Sequence, residues 1–412
     1  MPEFFNVLPP SQALAVLLER LPKGIMPSSE AIPVTEALGR ITAEAISSPE
    51  DLPSFPRSTV DGYSLRASNT YGASEGLPAY FTVAGEILMG RPAEVSVGVG
   101  EAAITYTGGM LARNADAVVM MENTQQVDNN TIEVVRPVAV GENVVQVGED
   151  VKKGDQVLPA GQLLRPQDLG GLTALGITEI KVARQLRVAI LSMGDEVVAP
   201  DGLPGPGQIR DVNTYTIAGL VRQAGAEPVP LGIVGDDYEE QLAAARSGLE
   251  QADVLVFSAG SSVSSRDLTA DIINQLGQPG VLVHGLSLRP GKPAIVGLVD
   301  GKPAFGLPGN PVSAMIVFDL LVCPILYHLT GCTRLPPLPA TTAQLSQNIA
   351  SAPGREDYVP VKIVHRDGVK TAEPVFGKSN LIFTLIRADG LVKVPLDKAG
   401  LYAGEEVDVR LF

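Results

Sequence analysis

Four apolar residues in a row, Val254-Leu255-Val256-Phe257, give way abruptly to Ser258-Ala259-Gly260-Ser261-Ser262, and Asp267 follows. An unbroken apolar run of this kind is the pattern of a strand covered on both faces of a parallel sheet. The small residues after it leave backbone N–H groups and hydroxyls open to a ligand. With Asp267 at the start of a helix over 268–276, these are the parts of an anion or metal–phosphate site, or of a plain βα connection in which Asp267 is a cap.

The rest of the chain arranges itself around that stretch. Leu14, Leu17, Leu18 and Leu21 fall at helical spacing, with Ser11 as the cap. Pro49, Pro53 and Pro56 hold 49–63 extended up to an Asp61-Gly62 turn signal. Over 79–140 short apolar runs alternate with Gly, Asn and Asp, which predicts a β-rich module; Thr107-Gly108-Gly109 closes one of its runs. Gly148-Glu149-Asp150 and Lys153-Gly154-Asp155 are spaced like turns of a small barrel-like unit, and Arg165-Pro166 opens a helix that Gly176 ends.

From Leu186 strands and helices alternate. Strands are predicted over 188–192, 228–234 and 253–257, with helices within 211–224, where Asn213 is the candidate cap, and over 238–249. Later strands over 294–298 and 304–307 lead to Asn310-Pro311, a strong start signal for a long helix over 312–329. Leu335-Pro336-Pro337-Leu338-Pro339 is a stiff linker, and the remainder is strand-like, with hairpin turns at Arg366-Asp367-Gly368 and Ala388-Asp389-Gly390. The predicted class is multidomain α/β plus β: a central three-layer α/β domain, N-terminal β-rich modules and a small barrel-like C-terminal β domain.

Composition narrows the function classes. A chain of 412 residues with 45% apolar content has room for two to four domains with real cores. A net charge of −15 argues against nucleic acid as a partner, and any anionic substrate then needs local cations or a bound metal. Cys323 and Cys332 form neither a metal pattern nor a disulfide framework, which suits a reducing cytoplasm. With only His284, His328 and His365, a His-based metal site or triad is not expected. No signal peptide is visible, and Asp319, Pro324 and His328 make 312–329 a core helix rather than a membrane span.

The candidate chemistry lies where strands of an open α/β sheet end. Three successive loops there carry acids, Asp195/Glu196, Asp236/Asp237 and Asp267. Such a set suits Mg²⁺, which takes carboxylate oxygens beside substrate phosphates. Arg289-Pro290-Gly291-Lys292-Pro293 offers two cations on a loop stiffened by two prolines, fit for an oxyanion or phosphate, and Gly309-Asn310 offers backbone N–H groups at a helix start. There is no G-x-G-x-x-G fingerprint and no P-loop, so a dinucleotide dehydrogenase or P-loop NTPase is not expected. Spacing supports a Mg²⁺-dependent enzyme on a phosphorylated or nucleotide-bearing anion.

Seven motifs, in order, carry a family resemblance over almost the whole chain: Ser58-Thr59-Val60-Asp61-Gly62-Tyr63, Thr107-Gly108-Gly109, Ala115-Asp116-Ala117-Val118-Val119-Met120, Gly148-Glu149-Asp150, Ser192-Met193-Gly194-Asp195-Glu196, Arg289-Pro290-Gly291-Lys292-Pro293 and Leu307-Pro308-Gly309-Asn310-Pro311-Val312-Ser313-Ala314. With them the chain resembles the molybdopterin molybdenumtransferases, the molybdenum insertases related to gephyrin's E domain. The resemblance implies a protomer divided as 1–48 with 146–183, 49–145, 184–333 and 334–412, the third part binding molybdopterin. It implies a homodimer with a site shared between subunits. The reaction implied is insertion of molybdate into adenylylated molybdopterin with Mg²⁺, releasing AMP.

By matching position, Asp61, Thr107, Glu196, Asp236 and Asp267 would be catalytic, with Glu196, Asp236 and Asp267 also holding the metal; Asp150 matches a family acid. Ser258, Gly260, Ser262, Pro290, Pro293, Gly309 and Asn310 would contact substrate, and the residues themselves make Arg289 and Lys292 candidates for molybdate or phosphate. One departure stands out: Ala259 occupies a place where many members have Gly, and tungstate stays open as an alternative oxyanion. Two other readings also stay open: a non-catalytic molybdopterin-binding scaffold, and a Mg²⁺-dependent nucleotide pyrophosphatase.

Overall fold

The computed structural model describes residues 7–21, 28–259, 263–366 and 368–412, with the backbone alone for 259 and 263–267. The chain forms two compact units. One comprises Ala45–Pro159 with Gln167–Thr178, and the other the remainder.

In the first unit the alternation of apolar and turn residues yields a six-stranded sheet. Its order is Ala117–Met120, Gly62–Leu65, Glu101–Thr105, Ala79–Glu86, Thr131–Val134, Thr124–Gln126. Leu65, Phe81, Val119 and Ile132 fill its core. Gly62 pairs with Thr105 on one side and Met120 on the other. A Cβ at Gly62 would fall 1.9 Å from the Val119 carbonyl oxygen, so glycine is what allows the strands to close just after Asp61.

The second unit holds a central six-stranded sheet in the order Glu227–Val234, Arg187–Met193, Val254–Ala259, Lys302–Pro308, Ile295–Val299, Pro279–His284. The first four strands are parallel; Ile295–Val299 is antiparallel to both of its neighbours. Successive side chains divide between two cores. Val188, Ile190, Val254 and Val256 pack with Leu17, Ile217, Val221 and Val317 on one face. Ala189, Leu191, Leu255 and Phe257 pack with Leu242, Ala245, Ile272 and Ile273 on the other. Both faces are covered, so the strands read as unbroken apolar runs, and burying each large side chain contributes about 1.5–3 kcal/mol. This is the expected three-layer arrangement.

The predicted helix ends shift for identifiable reasons. The first helix is Pro10–Arg20, with Ser11 inside it and no side-chain cap. Asn213 lies within the helix Asn213–Gln223; the Asp211 carboxylate accepts the Thr214 N–H at 3.0 Å and does the capping. Asp267 does not open its helix, because Val263–Leu276 begins four residues earlier. The long helix is not uniform. It runs Pro311–Val317, widens to a π-turn over Phe318–Val322, and resumes as Cys323–Leu329. Pro324 lacks an N–H, and the wider turn absorbs that missing donor. Pro311–Leu329 is long and apolar enough to cross a membrane, yet Val312, Ile316, Leu321, Ile325 and Leu326 are buried in the core.

The C-terminal strands close on themselves. Glu356–Arg366, Val369–Pro374, Ala340–Leu345, Glu406–Leu411 and Gly390–Val394 pair in that order, and the last returns to Glu356–Arg366. Val361, Ala372, Val392, Val394 and Val409 fill this barrel. Arg366 pairs with Val369 across the expected hairpin, although Asp367 lies outside the described residues. Ala388-Asp389-Gly390 is not a hairpin turn. It leads from the short helix Phe383–Ile386 into Gly390–Val394, and the Asp389 carboxylate accepts the Ile363 N–H at 2.7 Å.

Candidate active site

The parallel strands of the central sheet deliver their loops to one edge, and the acids there divide by task. Asp195 Oδ1 accepts the Asp236 N–H at 3.0 Å and ties two loops together. Asp237 caps the helix Tyr238–Gln251 by accepting the Glu240 N–H at 2.9 Å. Glu196 is half-buried and Asp236 exposed. Among the described residues no three His, Cys, Asp or Glu gather as a metal-holding group. The Asp267 side chain, Gly260 and Ser262 lie outside the described residues. Mg²⁺ keeps several waters and needs only one or two carboxylates beside substrate phosphates, and Glu196 and Asp236 are each oxygen donors of that kind.

Ser258 is buried at the end of its strand, and its Oγ accepts from Asn213 Nδ2 at 2.8 Å. The same amide nitrogen donates to the Gly309 carbonyl at 2.9 Å. Asn213 is not the helix cap its sequence position suggests; its side chain bridges a strand end and the loop after a neighbouring strand.

A cavity of about 800 Å³ opens beside this edge. Arg289, Pro290, Lys292, Pro293, Gly309 and Asn310 all line it. The Arg289–Pro290 peptide is cis. A Cβ on Gly291 would come within 2.7 Å of Val317 Cγ2 and 2.8 Å of Leu288 Cδ2, so the loop needs glycine between its two cations. Asn310 occupies the N-cap position of the helix Pro311–Val317 without capping it; its Nδ2 donates to Ser379 Oγ at 2.9 Å.

The opposite wall comes from the barrel, which the sequence did not assign to the site. Leu288–Arg289 pairs in parallel with the start of Glu356–Arg366, so Arg289 lies opposite Asp357. The Asp357 side chain is 3% exposed and receives Arg355 Nε at 2.8 Å and Arg289 at 3.6 Å. Glu356 beside it receives Lys393 at 2.6 Å. Lys378 and Ser379 complete the wall. Arg289, Lys292, Arg355 and Lys378 thus surround one cavity in a chain of net charge −15. That arrangement suits a large anion, with paired guanidinium groups held in place for its oxygens. The only sequence signal for the barrel wall was the charge cluster Arg355-Glu356-Asp357, which reads equally well as a solvated turn.

Asp61 and Thr107 belong to the first unit and meet there. Thr107 donates its N–H and its hydroxyl to Asp61 Oδ1 at 2.8 and 2.9 Å. The backbone hydrogen bond first, and the hydroxyl second, hold the Asp61 carboxyl below the usual carboxylate range.

Comparison with known proteins agrees with this architecture along the whole chain. Residues 8–176 match the family model "MoeA N-terminal region (domain I and II)", 189–328 the "Probable molybdopterin binding domain", and 342–412 the "MoeA C-terminal region (domain IV)". A molybdopterin molybdenumtransferase of Haemophilus influenzae is 34% identical, over 97% of this chain and 98% of that protein. One of Staphylococcus aureus is 30% identical over 98% and 96%. A solved MoeA protein of Pyrococcus horikoshii superposes with a TM-score of 0.84 at 32% identity, covering 98% of this chain and 100% of the other. The chain belongs to the MoeA-type molybdopterin molybdenumtransferases, transferases of molybdenum cofactor biosynthesis.

Proposed function

We propose that this chain inserts molybdate into adenylylated molybdopterin, with Mg²⁺, and releases AMP. The observation that carries this reading is the cavity lined by Arg289, Lys292, Arg355 and Lys378 at the strand end and helix start that bear Gly309 and Asn310. The four cations would receive molybdate and the phosphates of the substrate, and Gly309 and Asn310 would contact it at the head of their helix. Glu196 and Asp236, with Asp267 as the third candidate, would hold Mg²⁺. When bound there, Mg²⁺ neutralises pyrophosphate charge and lowers the barrier to P–O cleavage. Asp357 holds Arg355 by hydrogen bonds and pairs with Arg289, which lowers the cost of ordering them when the anion arrives.

The reading extends to a cytoplasmic homodimer in which Asp61 and Thr107 serve a site shared between subunits, to the four-part division of the protomer, and to Ser258, Gly260 and Ser262 as substrate contacts. Its support is the family membership and the matching motifs. The test is AMP release from adenylylated molybdopterin with Mg²⁺, in the presence and absence of molybdate. Release that requires molybdate and yields active cofactor upholds the proposal. Release independent of molybdate would make the chain a pyrophosphatase, and tight binding without release a scaffold. Tungstate in place of molybdate then reports oxyanion choice.

A further inference from the structure

We infer that Asn213 is a positioning residue that ties two strand ends of the sheet edge to the segment stapled to the Glu196 loop and aims the Ser258 hydroxyl proton at the anionic ligand. The inference rests on the proposed reading of this edge as the substrate site. Asn213 is 6% exposed and Ser258 4%. The helix start at 213 does not need the Asn213 side chain, because Asp211 already caps it.

The short segment from Ile209 to Asn213 is stapled on one side to the loop carrying Glu196. Val197 and Val198 pair in parallel with Ile209 and Arg210, the Ile209 N–H donates to the Glu196 carbonyl at 2.7 Å, and the Asp211 N–H donates to the Val198 carbonyl at 2.9 Å. On the other side its last residue donates to Ser258 Oγ and the Gly309 carbonyl. Ser258 and Leu307 are register partners in neighbouring strands, so one amide spans adjacent strand ends. A single side chain thereby joins two strand ends, and the segment that carries it is stapled by backbone bonds to the Glu196 loop.

The direction of these bonds matters as much as their number. Asn213 donates into Ser258 Oγ, which occupies a lone pair of that oxygen. The Ser258 proton then turns away from Asn213 toward another acceptor, which on the proposed reading of this edge is the anionic substrate. Asn213 Oδ1 is buried without a hydrogen-bond partner among the described residues. Burying an unmet acceptor is costly, so the residue is held there for what its N–H₂ does.

The test compares Asn213→Ala, Asn213→Asp, Ser258→Ala and the Asn213→Ala/Ser258→Ala double variant by molybdate-dependent AMP release. Losing a hydrogen bond to a charged ligand lowers turnover about 10–100-fold, so each Ala variant should fall in that range. If Asn213 acts through Ser258, the double variant is no slower than the slower single variant; losses that multiply would overturn the proton-aiming role. Asn213→Asp keeps the shape but offers Ser258 an acceptor, and should be at least as slow as Asn213→Ala. Near-normal turnover for Asn213→Asp would show a space-filling role and sink the inference. Hydrogen exchange supplies a readout independent of activity: Asn213→Ala should speed exchange at the amides of 256–259 and 306–309. Unchanged exchange there overturns the clip. A wild-type chain without molybdate-dependent AMP release would refute the functional reading instead, and the exchange result would still decide the clip.

Discussion

In the central sheet, Val254, Leu255, Val256 and Phe257 are fully buried, and the acids Asp195, Glu196, Asp236 and Asp237 lie in the loops beyond the strands. In the barrel, Glu356 and Asp357 lie within a strand, almost buried, each held by basic side chains. The acids of the two regions therefore do different work. Those of the sheet loops are open to solvent or spent on backbone N–H groups, as Asp195 and Asp237 are. Of those in the barrel, Asp357 anchors cations at a cavity wall and Glu356 holds Lys393. Burial decides the assignment: a carboxylate taken out of water must be paired, and the pairing that satisfies it also fixes the arginines.

The comparison can be broken first at its apolar half. Phe257→Ala removes a fully buried side chain from the sheet and should cost about 3–5 kcal/mol in urea denaturation. Asp236→Ala comes next. It should stay within ~0.5 kcal/mol of the parent stability, because Asp236 is exposed, while losing about 100-fold or more in AMP release under the proposed metal-holding role. Full activity in this variant would remove the acid loops from the site. Asp357→Ala should show the opposite profile, a loss of about 1–3 kcal/mol together with weaker substrate affinity, because both arginines lose their anchor. A stable variant with unchanged KM would break the anchoring argument.

Two smaller effects sharpen the electrostatic side. Burial pushes the Asp253 carboxyl up, but the Arg184 guanidinium and the Arg187 N–H outweigh it and leave it below its ordinary value. A depressed carboxylate contributes stability that is present above its unfolded pKa and lost as pH falls through the folded one. Arg184→Gln should therefore flatten the acid side of a stability–pH curve and leave the neutral region nearly parallel to the parent. Smallest of all, Thr107→Val keeps the N–H bond to Asp61 but loses the hydroxyl, so the Asp61 carboxyl should titrate closer to its ordinary 3.8 by NMR.

The regions also differed in how far they could be read in advance. The central strands announced themselves, since both faces are buried and the apolar pattern is continuous. Prolines and a helix start mark the loops of Arg289, Lys292 and Asn310 in the sequence, and all three lie on the cavity wall. Arg355, Asp357 and Ser379 were not legible as cavity residues. In a half-buried barrel strand a functional charge and a solvated one look alike, and the pairing that distinguishes them joins Leu288–Arg289 to Glu356–Arg366 across a long stretch of chain. Asn213 was misread for a related reason: Asn before an amphipathic run signals a cap, and only the neighbouring Asp211 shows that the cap is already filled.

Local pattern was enough to set the α/β core, the β character of both flanking parts, the ordered motifs and the loops that carry the acids and the proline-bound cations. These depend on periodicity, turn chemistry and capping, which act over a few residues. The tertiary structure alone decided which acids remain open, which side chain clips the strand ends together, and that the barrel supplies the other cationic wall. Those outcomes turn on desolvation and on pairing between distant residues, and neither quantity exists until the chain has closed.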